Sequence, residues 1–179
     1  MSPVECISLK LLALKSVAIQ ALLSAQRVDS LNKLKLGDIL ISDHAVKIKF
    51  TDIIKQSRPN FYLFPITIKA YAPKRRLCIV ILFKEYIRRT RTLRHKESTK
   101  FFVTYIKPYN DASKDTLSRW IKMVLRKAGI NTAQYGAHSV RSAATSAITK
   151  NTTPISTILK AAGWRKENTF RKYYKNQHT

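Results

Sequence analysis

Carboxylates are scarce in this chain: ten Asp and Glu stand against 34 Lys and Arg among 179 residues, a formal net charge of +24. The cations are spread along the whole length, so the folded body itself is predicted to be cationic. Such a surface repels itself unless a polyanion neutralises it, and nucleic acid is the commonest partner because binding releases its condensed counterions. Nucleic acid is therefore favoured over a merely solubilising basic surface or a membrane surface.

Cysteine is almost as rare. Cys6 and Cys78 lie far apart and have no neighbouring Cys or His at metal-ligand spacing. This argues against a disulfide framework and against a zinc site, so we expect two buried thiols in a reducing compartment and no metal. The apolar run LKLLALKSVAIQALL is broken by Lys10, Lys15 and Gln20, which argues against a membrane span or a signal peptide. An intracellular protein that is neither secreted nor membrane-bound is expected.

Glycine is also rare, with four in all, and no repeat or low-complexity stretch divides the chain. One domain over residues 1–179 is therefore expected. Hydrophobic periodicity predicts an α+β, mainly helical fold in which helices surround a small antiparallel sheet of three strands. The predicted helices cover 6–25, a short piece from Leu31 to a stop at Gly37, 74–94, 113–129, and three pieces that start near His138, Pro154 and Glu167.

The predicted strands lie in the middle of the chain. β-branched residues alternate with polar ones on either side of SDH in 38–50, a pattern typical of a hairpin. A second turn is predicted at KQSRPN, residues 55–60, and a third strand in 60–68, with Pro65 demoting its far end to a sheet edge or an exit.

The stretch GAHSVRSAATSAI, residues 136–148, carries a chemically suggestive pair. His138 and Arg141 lie three apart at the start of a helix, so they share one face of the first turn, where unpaired N–H groups suit a phosphate. The small residues SAATSA behind them allow close packing against a neighbour. We expect both side chains to be presented outward; an H-x-x-R alone, however, is common by chance.

Further segments in order give the pair a meaning. GAHSVR, ILKAAGW and TFRKYY, together with LLSAQRVDSLNKL and IIKQSRPN upstream, resemble the catalytic domain of the tyrosine recombinase (phage integrase-like) family over nearly all 179 residues. The chain is most similar to the versions in eukaryotic DIRS-like and Crypton-like mobile elements. The resemblance implies a site-specific recombinase that cuts and rejoins double-stranded DNA through a 3′-phosphotyrosyl intermediate, with no cofactor. The alternative is a domesticated or degenerate DNA-binding domain of the same fold that does not cleave.

The resemblance also implies residue roles. Arg27 and Arg141 would bind the non-bridging oxygens of the phosphoryl transition state, and Lys55 would protonate the leaving 5′-oxygen. His138 would accept or relay the tyrosine proton, or hydrogen-bond a phosphate oxygen, and Trp164 would donate its indole N–H to a phosphate oxygen. The candidate DNA contacts are Arg58, Lys74, Arg75, Arg76, Arg165, Lys166 and Arg171.

The nucleophile is one of two adjacent tyrosines. Many bacterial and phage members place it nine residues after the Trp164 position, at Tyr173, whereas mobile-element members with a TF-x-K-F-Y helix place it ten after, at Tyr174. One residue rotates a helix by about 100°, so both cannot face the phosphate. TFRKYY follows the second pattern and favours Tyr174.

Three departures from the family pattern qualify these expectations. The separate N-terminal clamp domain of the family is absent, so a fragment or a shortened gene product is expected, and an isolated domain of this kind could be inactive. Ser30 occupies the usual position of an acid that orients the first arginine, with Asp29 as its nearest substitute. Five residues follow Tyr174, too few for a tail helix, so tetramer assembly through such a tail is unsupported. Association into homo-oligomers on DNA stays open, and the nucleus is expected in a eukaryotic host, otherwise the cytoplasm.

Overall fold

The computed structural model describes residues 4–52 and 65–150. After a 3₁₀ turn at Val4–Cys6, helix α1 runs from Leu9 to Ser24. It begins at Ser8, whose Oγ accepts a hydrogen bond from the Leu11 N–H at 3.2 Å. α1 is the central helix and packs against three helices that follow later in the chain, at Ile79–Thr90, Lys114–Lys127 and Ala137–Lys150. The helix predicted over 6–25 is confirmed.

The last turn of α1 reverses the polarity expected from its sequence. The apolar periodicity that predicts the helix over 6–25 includes Leu22 and Leu23, but each is nearly half exposed, at 47% and 48%. Gln20 and Ser24 are buried instead. The helical stripe that continues from Val17 toward the core passes through positions 20, 21 and 24, so the leucine pair falls on the outer face.

Helix α2 lies earlier in the chain than predicted and is shorter than the predicted piece from Leu31 to Gly37. It spans Val28–Asn32, and a separate 3₁₀ turn, Leu36–Asp38, contains Gly37. Hydrogen bonds to a distant segment of the same chain explain the break. The Leu36 N–H donates to Thr99 O and the Phe101 N–H donates to Leu34 O, both at 2.8 Å. These bonds hold residues 34–36 in an extended conformation. A helix at the same place would leave the bonds to residues 99 and 101 unformed.

The predicted three-stranded antiparallel sheet is confirmed within the described ranges. Strands β1 (Ile39–Ile41), β2 (Ala45–Ile48) and β3 (Ile66–Lys69) lie in the order β1-β2-β3. Ile39 pairs with Ile48, which pairs with Ile66. The turn falls at SDH as predicted, where Ser42 Oγ accepts the Ala45 N–H at 3.0 Å. Pro65, which cannot donate to a ladder, directly precedes β3 at the sheet edge.

Helix α3, Ile79–Thr90, starts later than predicted because residues 72–77 form a 3₁₀ segment. The apolar periodicity of the predicted helix 74–94 includes Leu77, but this residue precedes the helix and is 41% exposed, whereas Leu82 and Tyr86 are fully buried. The expectation for the thiols is half right: Cys78 is buried, but Cys6 is exposed because Val4 takes the buried position of the first turn.

Two further helices complete the described part. α4 covers Lys114–Lys127 and α5 covers Ala137–Lys150. The sequence offers Ser113 or Asp115 as the cap of α4, and the structure uses Ser113, whose Oγ accepts the Thr116 N–H at 3.1 Å. Gly129, at φ +77°, follows the helix in the left-handed conformation that ends it, as predicted. The helical pieces predicted near Pro154 and Glu167 lie outside the described residues.

An aromatic cluster from α3 and residues 101–102 fills the core. Phe83 and Phe101 lie 4.5 Å apart between ring centroids, and Phe101 meets Phe102 edge to face at 4.9 Å. Tyr86 adds a polar clamp, since its hydroxyl donates to Val103 O and accepts the Val103 N–H, both at 3.0 Å. Burial raises the pKa of Tyr86 to about 12. These contacts fasten residues 101–103 onto the helices.

Candidate active site

Arg141 lies in the interior of the molecule. It is the fifth residue of α5, 2% exposed, and its Nη1 donates to Ala25 O at 2.8 Å across the α1–α5 interface. The expectation that Arg141 points outward is therefore wrong. The small side chains behind it explain this: Ala144 and Ala25 are buried against each other, which lets α5 approach the end of α1 closely.

The acceptor of this bond is an unusual backbone position. Ala25 follows the last residue of α1 and has φ 51° and ψ 25°, the left-handed region that an alanine seldom adopts. Ser24 stabilises the turn from both sides: its Oγ donates to Gln20 O at 2.7 Å and accepts the Gln26 N–H at 3.3 Å. The turn aims the Ala25 carbonyl at α5.

Arg27 follows two residues after Ala25. It occupies the N-cap position of α2 with extended backbone, φ −72° and ψ 151°, and is partly buried. The segment that carries Arg27 is thus tied to Arg141 through one carbonyl. Asp29, the nearest acid, forms an ion pair with Lys33 at 3.6 Å. Its orienting role toward Arg27 stays a prediction.

His138 lies one turn before Arg141 on α5 and is exposed, as predicted. The start of the helix is fixed by Ser139, whose Oγ accepts the Gly136 N–H at 3.2 Å. The site therefore has a solvent-facing imidazole and, one turn deeper, a buried guanidinium. This is an arrangement that can bind an anion at its rim and stabilise charge at its base.

The basic triplet Lys74–Arg76 lies on the exposed 3₁₀ segment beside α3. Burial, with the positive charge of Arg76 as a second cause, lowers the pKa of Lys15 on α1. Lys15 precedes Ala25 by ten residues, which is roughly 15 Å along a helix axis. Arg76 thus lies near Lys15 in the middle of α1, away from the turn that holds Arg141.

The remaining predicted site residues lie outside the described part of the chain. They are Lys55, Arg58, Trp164, Arg165, Lys166, Arg171, Tyr173 and Tyr174. Within residues 4–52 and 65–150, no group of three or more His, Cys, Asp or Glu side chains could hold a metal ion. No helix in the same ranges is both long and apolar enough to cross a bilayer.

Ala25 and Ser24 are site residues that the sequence did not reveal. Glycine would have signalled a left-handed turn, but an alanine gives no such indication. The turn also buries Ser24 and leaves Leu22 and Leu23 exposed, a pattern that the sequence alone does not indicate.

Solved structures with the same fold include three recombinases. The XerH site-specific recombinase bound to a palindromic difH substrate, in a post-cleavage complex, has a TM-score of 0.74 and 18% identity over 96% of this chain and 45% of that one. The XerA recombinase has a TM-score of 0.65 at 16% identity, covering 99% and 60%. The lambda integrase catalytic core has a TM-score of 0.52 at 16% identity, covering 87% and 81%.

The chain thus spans about half the length of the XerH recombinase. No curated protein matches its sequence significantly. The model of the Phage integrase family, in contrast, matches residues 6–179, nearly the whole chain. With the mainly helical fold around a three-stranded antiparallel sheet, this match shows that the chain belongs to the phage integrase family.

Proposed function

We propose that this chain is the catalytic domain of a site-specific tyrosine recombinase, which cuts and rejoins double-stranded DNA through a 3′-phosphotyrosyl intermediate. Family membership supports the proposal, as does a fold shared with recombinases solved on DNA substrates. In this proposal the 179 residues supply one catalytic unit, and the clamping of DNA is assigned to protein outside them.

The observation that carries the proposal is the anchoring of Arg141 at the turn before Arg27. A phosphoryl transition state concentrates negative charge on its non-bridging oxygens, and guanidinium forks stabilise that charge most when they are already fixed. Arg141 is held by the 2.8 Å bond to Ala25 O, so it needs little reorganisation. The Ala25 carbonyl thus links Arg141 of α5 to the segment between α1 and α2 that carries Arg27.

The proposed reaction uses the tyrosine hydroxyl as nucleophile. Its oxygen forms a bond to phosphorus while the bond from phosphorus to the 5′-oxygen breaks. His138 accepts the tyrosine proton, for which an exposed imidazole is suited, and Lys55 donates a proton to the leaving 5′-oxygen. The Trp164 indole N–H donates to a phosphate oxygen. The reverse reaction rejoins a strand, with no water consumed and no cofactor needed.

Tyr174 is the proposed nucleophile and Tyr173 the alternative. The TFRKYY pattern that favours Tyr174 also supports a finer assignment, to recombinases of DIRS-like or Crypton-like mobile elements. In a eukaryotic host such an enzyme would act in the nucleus. Its proposed partners are double-stranded DNA and further copies of itself on that DNA, with contacts from Arg58, Lys74–Arg76, Arg165, Lys166 and Arg171.

A covalent-trapping assay tests the proposal. The protein is incubated at low salt with a pool of duplexes that carry random sequence and a nick, so that the 5′-hydroxyl fragment diffuses away after cleavage. We expect a protein–DNA adduct on a denaturing gel that Tyr173→Phe retains and Tyr174→Phe loses. The reverse pattern would move the nucleophile to Tyr173.

A wild-type protein that binds the same duplexes and forms no adduct would contradict the enzymatic proposal. It would favour the degenerate DNA-binding domain instead. Because each Tyr→Phe change removes one hydroxyl only, the two variants are matched controls for each other's effect on folding and DNA binding.

A further inference from the structure

A buried carboxylate, Asp38, lies at the base of the β1–β2 hairpin. It directly precedes β1 and is 3% exposed, in a chain that has only ten Asp and Glu. Both of its carboxylate oxygens accept hydrogen bonds. Oδ2 accepts the Lys35 backbone N–H at 3.0 Å, and Oδ1 accepts the Thr51 hydroxyl at 2.7 Å. Because a buried charge is costly unless it is hydrogen-bonded, these contacts are what stabilise an acid at this position.

The chain that leaves β2 is held at three points. Residues 49–52 follow this strand and belong to no helix or strand themselves. Besides the hydroxyl bond just described, the Lys49 N–H donates to Asp38 O at 2.9 Å. The Lys35 ammonium forms an ion pair with Asp52 at 2.5 Å. Three of the four residues in this irregular segment are therefore tied to the chain that precedes β1.

This segment leads directly to Lys55, the proposed donor of the proton to the 5′-oxygen. Three residues of chain reach at most about 11 Å, so a fixed Asp52 limits where the Lys55 backbone can lie. A general acid is effective only when it is placed against the atom that it protonates. The Lys35 ammonium also neutralises the Asp52 carboxylate, which would otherwise repel a DNA phosphate nearby.

We propose that Asp38 and Thr51 are positioning residues for Lys55, and that their hydrogen bond fixes the direction in which the chain leaves β2. This inference rests on the proposed recombinase function and deepens it by assigning how the proton donor is held. Arg141 is held by a separate contact, at Ala25 O. A change at Thr51 should therefore impair the protonation of the leaving oxygen and leave the binding of the phosphoryl oxygens intact.

A leaving group that needs no proton separates the positioning of Lys55 from a general structural effect. With sulfur in place of the 5′-oxygen, the bond from phosphorus to sulfur breaks and the sulfur leaves as a thiolate. This step needs no proton donor, because a thiol is far more acidic than an alcohol. The probes are duplexes that carry random sequence, a nick and either oxygen or sulfur at one 5′-bridging position near that nick. The adduct measured is the one whose DNA ends at this position.

The expected result is a loss that depends on the leaving group. Thr51→Val removes the hydroxyl and keeps the shape of the side chain. We expect its rate of adduct formation at saturating DNA to fall about tenfold with oxygen and to stay within about twofold of wild type with sulfur. Lys55→Ala should show the same pattern with a loss of about 100-fold or more with oxygen. Thr51→Ser keeps the hydroxyl and should retain the wild-type rate with both substrates.

Thr67→Val is the matched control, since it makes the same change at an exposed threonine of β3 in the same sheet. Its rates should stay at the wild-type values, and thermal unfolding confirms that each variant is folded. The inference is overturned if folded Thr51→Val loses activity equally with oxygen and sulfur, or with neither, or if sulfur does not rescue Lys55→Ala. In those cases wild type still forms its adduct and the recombinase proposal stands. A wild type that forms no adduct with either substrate would overturn the recombinase proposal and this inference together.

Discussion

Arg141 heads the fully buried side chains of the described residues when they are ranked by volume. Burying a guanidinium is unfavourable unless hydrogen bonds replace its water, and the bond to Ala25 O provides one such replacement. A stability requirement alone would be met more easily by an apolar side chain of similar size. In the proposed recombinase, this fixed guanidinium would serve transition-state binding.

Gln20 is a second buried polar residue, and it gives a stability prediction. It is fully buried on α1, and within the described chain neither its Oε1 nor its Nε2 forms a hydrogen bond. A buried amide left without bonds is destabilising, and Met has nearly the same shape without the polar atoms. We expect Gln20→Met to raise the free energy of unfolding by about 1–2 kcal/mol in urea denaturation.

Leu14→Met serves as the control for that change, because Leu14 is an equally buried apolar residue of the same helix. It should lower stability by less than about 1.5 kcal/mol, the usual range for a swap that conserves volume. A clear loss of stability in Gln20→Met would contradict the account, since it would show that the amide is satisfied in solution.

At the scale of elements, the turn at Ser24–Gln26 joins the two arginine segments. Valine at position 25 cannot easily adopt φ 51°, and its two methyl groups would enter the buried contact with Ala144. We expect Ala25→Val to lower the free energy of unfolding by about 2 kcal/mol. Because the change displaces the carbonyl that holds Arg141, adduct formation should fall further than the folded fraction does.

Ala25→Gly is the comparison variant. It relieves about 1 kcal/mol of left-handed backbone strain but adds a similar entropic penalty and removes the buried methyl that contacts Ala144, so its stability should stay within about 1 kcal/mol of wild type. Its adduct yield should stay near wild type as well. If Ala25→Val kept full activity per folded molecule, the carbonyl anchor would have no catalytic importance.

The elements also show what the sequence could predict. Helix α4 was predictable because its cap, its apolar face and its terminating glycine are local signals. The β1–β2 hairpin was predictable from alternation. The end of α2 was not, since hydrogen bonds to Thr99 and Phe101, more than 60 residues away, stop that helix.

The same distinction holds for the candidate site. The spacing of His138 and Arg141, together with the family pattern, predicted both as site residues. The burial of Arg141 and the left-handed Ala25 depend on packing between α1 and α5, 116 residues apart in sequence.

For the whole molecule, charge is the dominant feature. With 34 cations and ten carboxylates, at least 24 cations (34 less 10) have no acid to pair with one to one. Long-range attraction of this size would give sequence-independent DNA binding that survives the loss of any single side chain. Binding and cleavage should therefore respond differently to changes at the catalytic site.

The most direct test of the central claim measures covalent adduct and DNA binding together for wild type and Arg141→Ala. Arg141→Lys, which keeps the charge without the planar fork, accompanies it, and thermal unfolding confirms that each variant is folded. At equal DNA occupancy we predict an adduct for wild type, none for Arg141→Ala and a strongly reduced amount for Arg141→Lys, with affinities for nonspecific duplex within about threefold of one another. Adduct yields that are the same in all three proteins, or a parallel loss of binding and adduct in the folded variants, would contradict the account.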